Sequence, residues 1–158
     1  MCPRRSAPLS LKRTESKYKR RDFPTILYSS CDTIEKLFHF FPTLSDEERD
    51  FPIAYAMLMN KDAVQVMMLL SAIYQPQNQF YIAVDGKSDE KIWKAMRELS
   101  NCYPNIFVFR AKKIEWCSFE IIEAIFECVI YLSKSEVRWR YLQVSDVSTS
   151  RTFDILRF

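Results

Sequence analysis

Apolar and polar residues follow one another along this chain in blocks. The stretch Phe51-Pro-Ile-Ala-Tyr-Ala-Met-Leu-Met-Asn60 is a near-continuous apolar run, the pattern of a strand buried on both faces of a parallel sheet. It predicts a mid-sheet strand. Asp62 can cap a following helix on which Val64, Met67, Met68 and Ser71 share a face before Ile73 and Tyr74 close it. Gln75-Pro-Gln-Asn78 ends that helix. A second apolar run, Phe80-Tyr-Ile-Ala-Val84, then delivers Asp85-Gly-Lys-Ser88 to its carboxyl end.

The blocks continue. Asp89 and Glu90 occupy the first turn of a helix, where the dipole favours acids, and Ile92, Met96 and Leu99 form its apolar face with Trp93 beside it. Pro104-Asn105 breaks it, and Ile106-Phe-Val-Phe109 reads as a third strand. Arg110 to Ile114 is a basic loop. Ser118 can cap a long helix with the stripe Ile121, Ile122, Ile125, Phe126, Val129 and Leu132, closed by Ser133-Lys-Ser-Glu136. Trp139-Arg-Tyr-Leu-Gln-Val144 is the fourth strand. Ahead of the first strand, Asp32-Thr-Ile-Glu35 has capping-box character, and Ser45 with Glu48 repeats it. Strand and helix alternating in this way predict an α/β fold, a doubly wound, mostly parallel sheet with helices on both faces. Ligands of such sheets bind at the carboxyl ends of the strands.

Composition narrows the class. A chain of 158 residues, 48% hydrophobic and 15% aromatic, makes one globular domain. No apolar run reaches the roughly 18 residues of a membrane span. The net charge of +3 is uneven, because residues 1–21 hold eight Lys/Arg and one Glu. Fifteen basic and nineteen acidic residues remain in the rest. Basicity confined to an arm argues against nucleic acid as a partner, which needs Lys and Arg clustered on the folded surface. The arm has the charged start of a secretory signal without an apolar segment behind it. It reads as a solvated, flexible tail, with a juxtamembrane or nuclear-targeting cluster as the alternative.

Candidate chemistry is limited. Gly86 is the one glycine, so neither GxGxxG nor GxxxxGK[ST] is present and dinucleotide cofactors are disfavoured. Asp85, ending the second strand, can accept hydrogen bonds from a ribose or a base edge. Asp85-Gly86 as a plain turn is the alternative, and spacing alone favours it. Trp116, near the end of the third strand, can stack on a base or serve as a core tryptophan. His39, the one histidine, lies among Phe38, Phe40 and Phe41, which suits a packed or surface side chain better than a catalytic triad. Cys2, Cys31, Cys102, Cys117 and Cys128 form no CxxC pair, so no zinc site is expected. The cysteines are buried thiols or disulfide partners, according to compartment. No Asp-x-Asp pair is present to hold a divalent ion on phosphates.

Phe51-Pro-Ile-Ala-Tyr55, Ala72-Ile-Tyr-x-Pro-Gln-Asn78, Val84-Asp-x-Lys-Ser88, Cys102-x-x-Asn105-Ile-Phe-Val108 and Trp139-x-Tyr141 stand in the order and spacing of a known family. From about Cys31 to Tyr141 the chain resembles the amino-terminal half of the core-2/I-branching β-1,6-N-acetylglucosaminyltransferases (glycosyltransferase family 14), with its Trp116 segment most similar to nematode-type members. The resemblance implies a Rossmann-like, GT-A-type half-domain. It implies an inverting, metal-independent transfer of N-acetylglucosamine from UDP-GlcNAc to a galactose- or GalNAc-containing glycan on a glycoprotein, with no cofactor, in the Golgi lumen of membrane-anchored enzymes. The family's uridine contacts fall on Leu58 and Asp85, with Trp116 at an aromatic position and Asn60 where many members have histidine. Cys31 and Cys102 match positions the family joins by a disulfide. Cys128 matches a cysteine whose partner position is Tyr81, which implies a buried free thiol.

On this reading the chain divides into a basic arm (1–30), a helical lead-in (31–50), a nucleotide-sugar-binding half-domain (51–145) and a divergent tail (146–158). After Tyr141 the family continues with Gly-x-Asp-x-Pro-Leu, whereas here Val144-Ser-Asp-Val-Ser-Thr-Ser150 follows. The general base and the diphosphate-binding residues belong to the family's other half. No catalytic residue is assigned here, and the chain alone is expected to be inactive. A non-catalytic α/β interaction module derived from the family is the alternative. Replacing Asp85 by Ala is expected to weaken uridine binding while changing stability little.

Overall fold

The computed structural model describes residues 30–40, 45–115 and 118–147 in full and residues 151–157 as backbone. Residues 1–29, Trp116 and Cys117 lie outside the described residues. The elements are α1 (Cys31–Phe38), α2 (Asp46–Arg49), β1 (Ile53–Met59), α3 (Ala63–Ile73), β2 (Gln79–Val84), α4 (Glu90–Cys102), β3 (Ile106–Arg110), α5 (Phe119–Ser133), β4 (Tyr141–Asp146) and β5 (Arg151–Arg157).

The strands lie in the order β3-β2-β1-β4-β5. The first four are parallel, with Ala54 of β1 opposite Gln79 of β2 and Leu142 of β4. This is the mostly parallel α/β sheet that the alternating blocks predict, in the Rossmann-like arrangement that the resemblance implies. β1 is its central strand, buried from Ala54 to Met59. β5 runs antiparallel to β4. Residues 146–158, read from sequence as a tail, thus supply the end of β4 and a fifth strand. Residues 152–155 alternate polar and apolar, the short signature of an antiparallel strand.

Successive residues of β1 point to opposite faces of the sheet. Tyr55, Met57 and Met59 enter a core with Ile34, Phe38, Met67, Leu70, Met96 and Leu99, which come from α1, α3 and α4. Ala54, Ala56 and Leu58 enter a second core with Ala83, Ala124, Cys128, Leu132 and Leu142. Small side chains at 54, 56 and 83 let α5 lie close against β1 and β2.

Helix phases follow the polar residues available to set them. In α4, Lys91, Lys94, Arg97 and Glu98 mark a solvent face, and Ala95, Met96 and Leu99 are buried with Ile92 and Trp93 packed beside them. In α3 only Gln65 and Ser71 are polar, so the pattern leaves the phase open. Its buried residues are Ala63, Val66, Met67 and Leu70, while Met68 is 60% exposed. The face predicted through Val64, Met67, Met68 and Ser71 is therefore turned by about one position. In the α5 stripe Leu132 is buried and Ile121, Ile125 and Val129 pack against the second core, as expected, whereas Ile122 and Phe126 are 58% and 61% exposed and Ala124 and Cys128 are buried in their place.

Caps set the helix starts. The Asp62 carboxylate accepts the Gln65 N–H at 3.1 Å, and the Asp89 carboxylate accepts the Lys91 N–H at 2.9 Å. Ser45 and Glu48 form the capping box. At α1 the cap is Ser30, whose hydroxyl oxygen accepts the Thr33 N–H, and Asp32 falls in the first turn. Ser118 stands at the start of α5, yet its hydroxyl donates to the Glu115 carbonyl at 2.6 Å. Trp139 precedes β4, and its indole N–H donates to the Leu132 carbonyl at 2.9 Å, which also accepts the Ser135 hydroxyl at 2.9 Å, tying the approach to β4 to the end of α5.

A disulfide joins Cys31 and Cys102 across 71 residues, with Cα atoms 5.4 Å apart. It ties the first residue of α1 to the last of α4. Cys128 is free and buried. Burial, with Glu127 nearby as the lesser cause, pushes its thiol up to about 12.

Candidate functional site

Three turns meet at the carboxyl end of the sheet: residues 60–62 after β1, 85–88 after β2, and 111–115 after β3. They enclose a cavity of about 220 Å³ lined by Leu58, Met59, Asn60, Asp85, Lys87, Ile114, Glu115, Ile121 and Asp146. Leu58, Asn60 and Asp85, the three described residues among those proposed for nucleotide contact, line it together. Trp116, the fourth, lies outside the described residues.

Asp85 is 2% exposed. Its Oδ1 accepts the Lys87 N–H at 2.9 Å inside its own turn and the Ile114 N–H at 3.1 Å from the loop after β3. The Ser88 N–H closes the turn on the Asp85 carbonyl at 2.8 Å. An ionised carboxylate offers about four acceptor sites, so acceptor capacity remains for a group in the cavity. Asp85 is both a turn residue and a wall of the cavity.

The neighbouring turns are tied to this one. The Ser88 hydroxyl donates to the Asn60 carbonyl at 2.5 Å. The Gly86 N–H donates to the Lys112 carbonyl at 3.2 Å, and the Ala111 N–H to the Val84 carbonyl at 2.8 Å. Loop 111–115 crosses directly over Gly86, where a Cβ would lie 2.8 Å from the Ala111 carbonyl oxygen and 3.0 Å from backbone atoms of Lys112 and Lys113. Glycine is needed here for close approach.

The cavity's charges are three carboxylates, Asp85, Glu115 and Asp146, and one ammonium, Lys87. Lys87 Nζ lies 2.5 Å from Glu115 Oε1. Two cations of the basic segment are paired elsewhere: Arg110 with Glu90 at 2.9 Å, over the Trp93 ring at 5.8 Å, and Lys112 with Glu123 at 2.6 Å. Among the described residues no group of three His, Cys, Asp or Glu could hold a metal ion.

Lys87, Ile114, Glu115 and Asp146 were not singled out from sequence. Lys87 stands within the quoted Asp85-Gly-Lys-Ser88 segment. Asp146 reaches the cavity only because β4 pairs with β1, opposite Leu58, and no local pattern announces that. A larger cavity of about 510 Å³ lies at the amino ends of β1 and β2, between Phe51, Ile53, Ile73 and Gln77. There Asn78 Oδ1 accepts the Ile53 N–H, and the Asn105 amide donates to the Gln75 and Asn78 carbonyls. Those bonds brace loops. The carboxyl-end cavity is the candidate, because ligands of open α/β sheets bind at that end.

The family model described as "Branch: Core-2/I-Branching enzyme" matches residues 53–156. The chain is 38% identical over 116 residues to beta-1,3-galactosyl-O-glycosyl-glycoprotein beta-1,6-N-acetylglucosaminyltransferase 4 of Mus musculus, covering 72% of this chain and 26% of that protein. It is 35% identical over 138 residues to the similarly named transferase 3 of Homo sapiens, covering 83% and 31%. With the probable transferase 7 of Sus scrofa it shares 34% identity over 134 residues, covering 82% and 31%. The chain spans 26–31% of the length of these relatives.

Proposed function

The chain belongs to the core-2/I-branching enzyme family, and from that premise we propose that its carboxyl-end cavity binds the uridine part of UDP-GlcNAc. The observation that carries this reading is the meeting of Leu58, Asn60 and Asp85 in one cavity. The Asp85 carboxylate takes a hydrogen bond from the base or the ribose, Leu58 supplies apolar contact, and Asn60 a polar edge.

The transfer proposed for the family domain at its relatives' length is inverting and metal-independent. It places N-acetylglucosamine on a galactose- or GalNAc-containing glycan of a glycoprotein in the Golgi lumen. Such a transfer needs a base at the attacking hydroxyl and positive charge on the leaving diphosphate. Neither is assigned among the cavity residues, where carboxylates outnumber Lys87. For these 158 residues the proposal is therefore nucleotide binding. As for the membrane, no helix among the described residues is long and apolar enough to cross one.

Titration of the chain with millimolar UDP, by calorimetry and thermal melting, tests the proposal. A ligand that binds only the folded state must stabilise it. The expected result is heat of binding and a raised melting temperature with UDP, and neither with GDP. Equal responses to UDP and GDP, or no response, overturn it.

A further inference from the structure

We infer that Ser88 is a positioning residue of the nucleotide cavity, acting through Asn60; the inference rests on the function proposed above. Ser88 does not line the cavity. It is 6% exposed, so water is poorly placed to replace its bonds. Its backbone is held on both sides: the N–H donates to the Asp85 carbonyl at 2.8 Å, and the carbonyl accepts from the Arg110 guanidinium at 3.4 Å. From that fixed backbone the hydroxyl donates to the Asn60 carbonyl at 2.5 Å.

One four-residue turn therefore holds two walls. Asp85 holds the Ile114 wall and Ser88 holds the Asn60 wall. The turn after β1 bears no glycine or proline, and a β-strand ending in Met59 leaves the next residue free of the ladder. The Ser88 hydroxyl decides where the Asn60 carbonyl lies, and with it the direction in which the Asn60 side chain leaves the chain. Losing such a bond changes an affinity by a small, measurable factor.

The test compares UDP titrations of the full chain as wild type, Ser88→Ala, Asn60→Ala and the double variant, with thermal midpoints recorded alongside. Ser88→Ala should weaken UDP binding about three- to tenfold, the range for one hydrogen bond. In the Asn60→Ala background the same change should have no effect on affinity, because residues that act as a unit are not additive. Ser88→Thr, which keeps the hydroxyl, should bind within about twofold of wild type. Where Ser88→Ala does not fold, Ser88→Cys, a weak donor of similar volume, replaces it with the same expectation. A purely structural role would lower the thermal midpoint equally in both backgrounds and leave affinity alone. Equal weakening in both backgrounds, or wild-type affinity in Ser88→Ala, overturns the inference while the proposed function stands. A wild-type chain that does not bind UDP overturns both.

Discussion

The Asp85 carboxylate accepts the backbone N–H of Ile114 at 3.1 Å, inside the protein and 29 residues away in sequence. The same oxygen accepts the Lys87 N–H. The side chain proposed to face the nucleotide thus also fastens the loop after β3 to the turn after β2.

Asp85→Ala should therefore lose stability as well as UDP affinity. It leaves the Ile114 N–H buried without its acceptor, which costs about 1–3 kcal/mol. This corrects the expectation from sequence that stability would change little. Asp85→Asn retains one acceptor oxygen and should recover much of the stability. Urea denaturation of both variants, beside UDP titration, checks this, and a wild-type midpoint for Asp85→Ala would refute it.

Gly86→Ala tests the crossing of the two loops. The obstructing atoms are backbone atoms of Ala111, Lys112 and Lys113, which cannot rotate aside as a side chain can. Loop 111–115 must shift, at about 1–3 kcal/mol for overpacking of this kind. Denaturant midpoints measure the loss. An unchanged midpoint would show that the loop gives way freely.

The Cys31–Cys102 bridge closes a long loop, and restricting the unfolded chain by such a loop contributes about 3–5 kcal/mol in the chain-entropy description. Reduction should lower the melting temperature markedly. Peptide mapping without reduction should yield the two cysteines as one linked pair with Cys128 free. Recovery of Cys31 and Cys102 as separate thiols would sink this prediction.

Alkaline pH should destabilise the chain in a defined window. Burial pushes the Cys128 thiol up to about 12 from 9.0, and the Tyr81 and Tyr103 hydroxyls up to about 12 from 10.0. Between the ordinary and the raised values the unfolded chain binds fewer protons than the folded one. Stability tied to these groups is fully present below about pH 9 and falls as pH rises toward 12. Urea midpoints across that window should decline steadily. Cys128→Ala should flatten the portion that begins near pH 9, and an unaltered slope in that variant would contradict the assignment.

The parts of the fold legible in sequence were those with local contrast. β1 and β2 announced themselves as near-continuous apolar runs, and α4 as the face Ile92, Met96 and Leu99 behind the first-turn acids Asp89 and Glu90. α3 is apolar nearly all round, so its existence was readable and its orientation was not; α5 shows Glu120, Glu123 and Glu127, and its stripe was right at Ile121, Ile125, Val129 and Leu132 but not at Ile122 and Phe126. Met68 and Phe126 look like core residues in sequence and stand in solvent because tertiary packing chooses the phase. At the site, Asp85 was visible as the acid ending a strand. Its bond to Ile114 was not, since it depends on where loop 111–115 folds back over Gly86. Asp146 was hidden for the same reason, its place being fixed by the pairing of β4 with β1.

The alanines at 54, 56 and 83 make the distance between α5 and the sheet a tunable dimension of the cavity. Ile121, on the first turns of α5, forms part of the cavity wall, while Ala56 and Ala83 belong to the core behind that helix. A methyl group added at Ala56 would press on α5 through the core that Ala56 shares with Leu58 and Ile121, and so act on the cavity wall from beneath. Pocket width in this fold is thus set partly from behind, by core alanines that do not line the cavity.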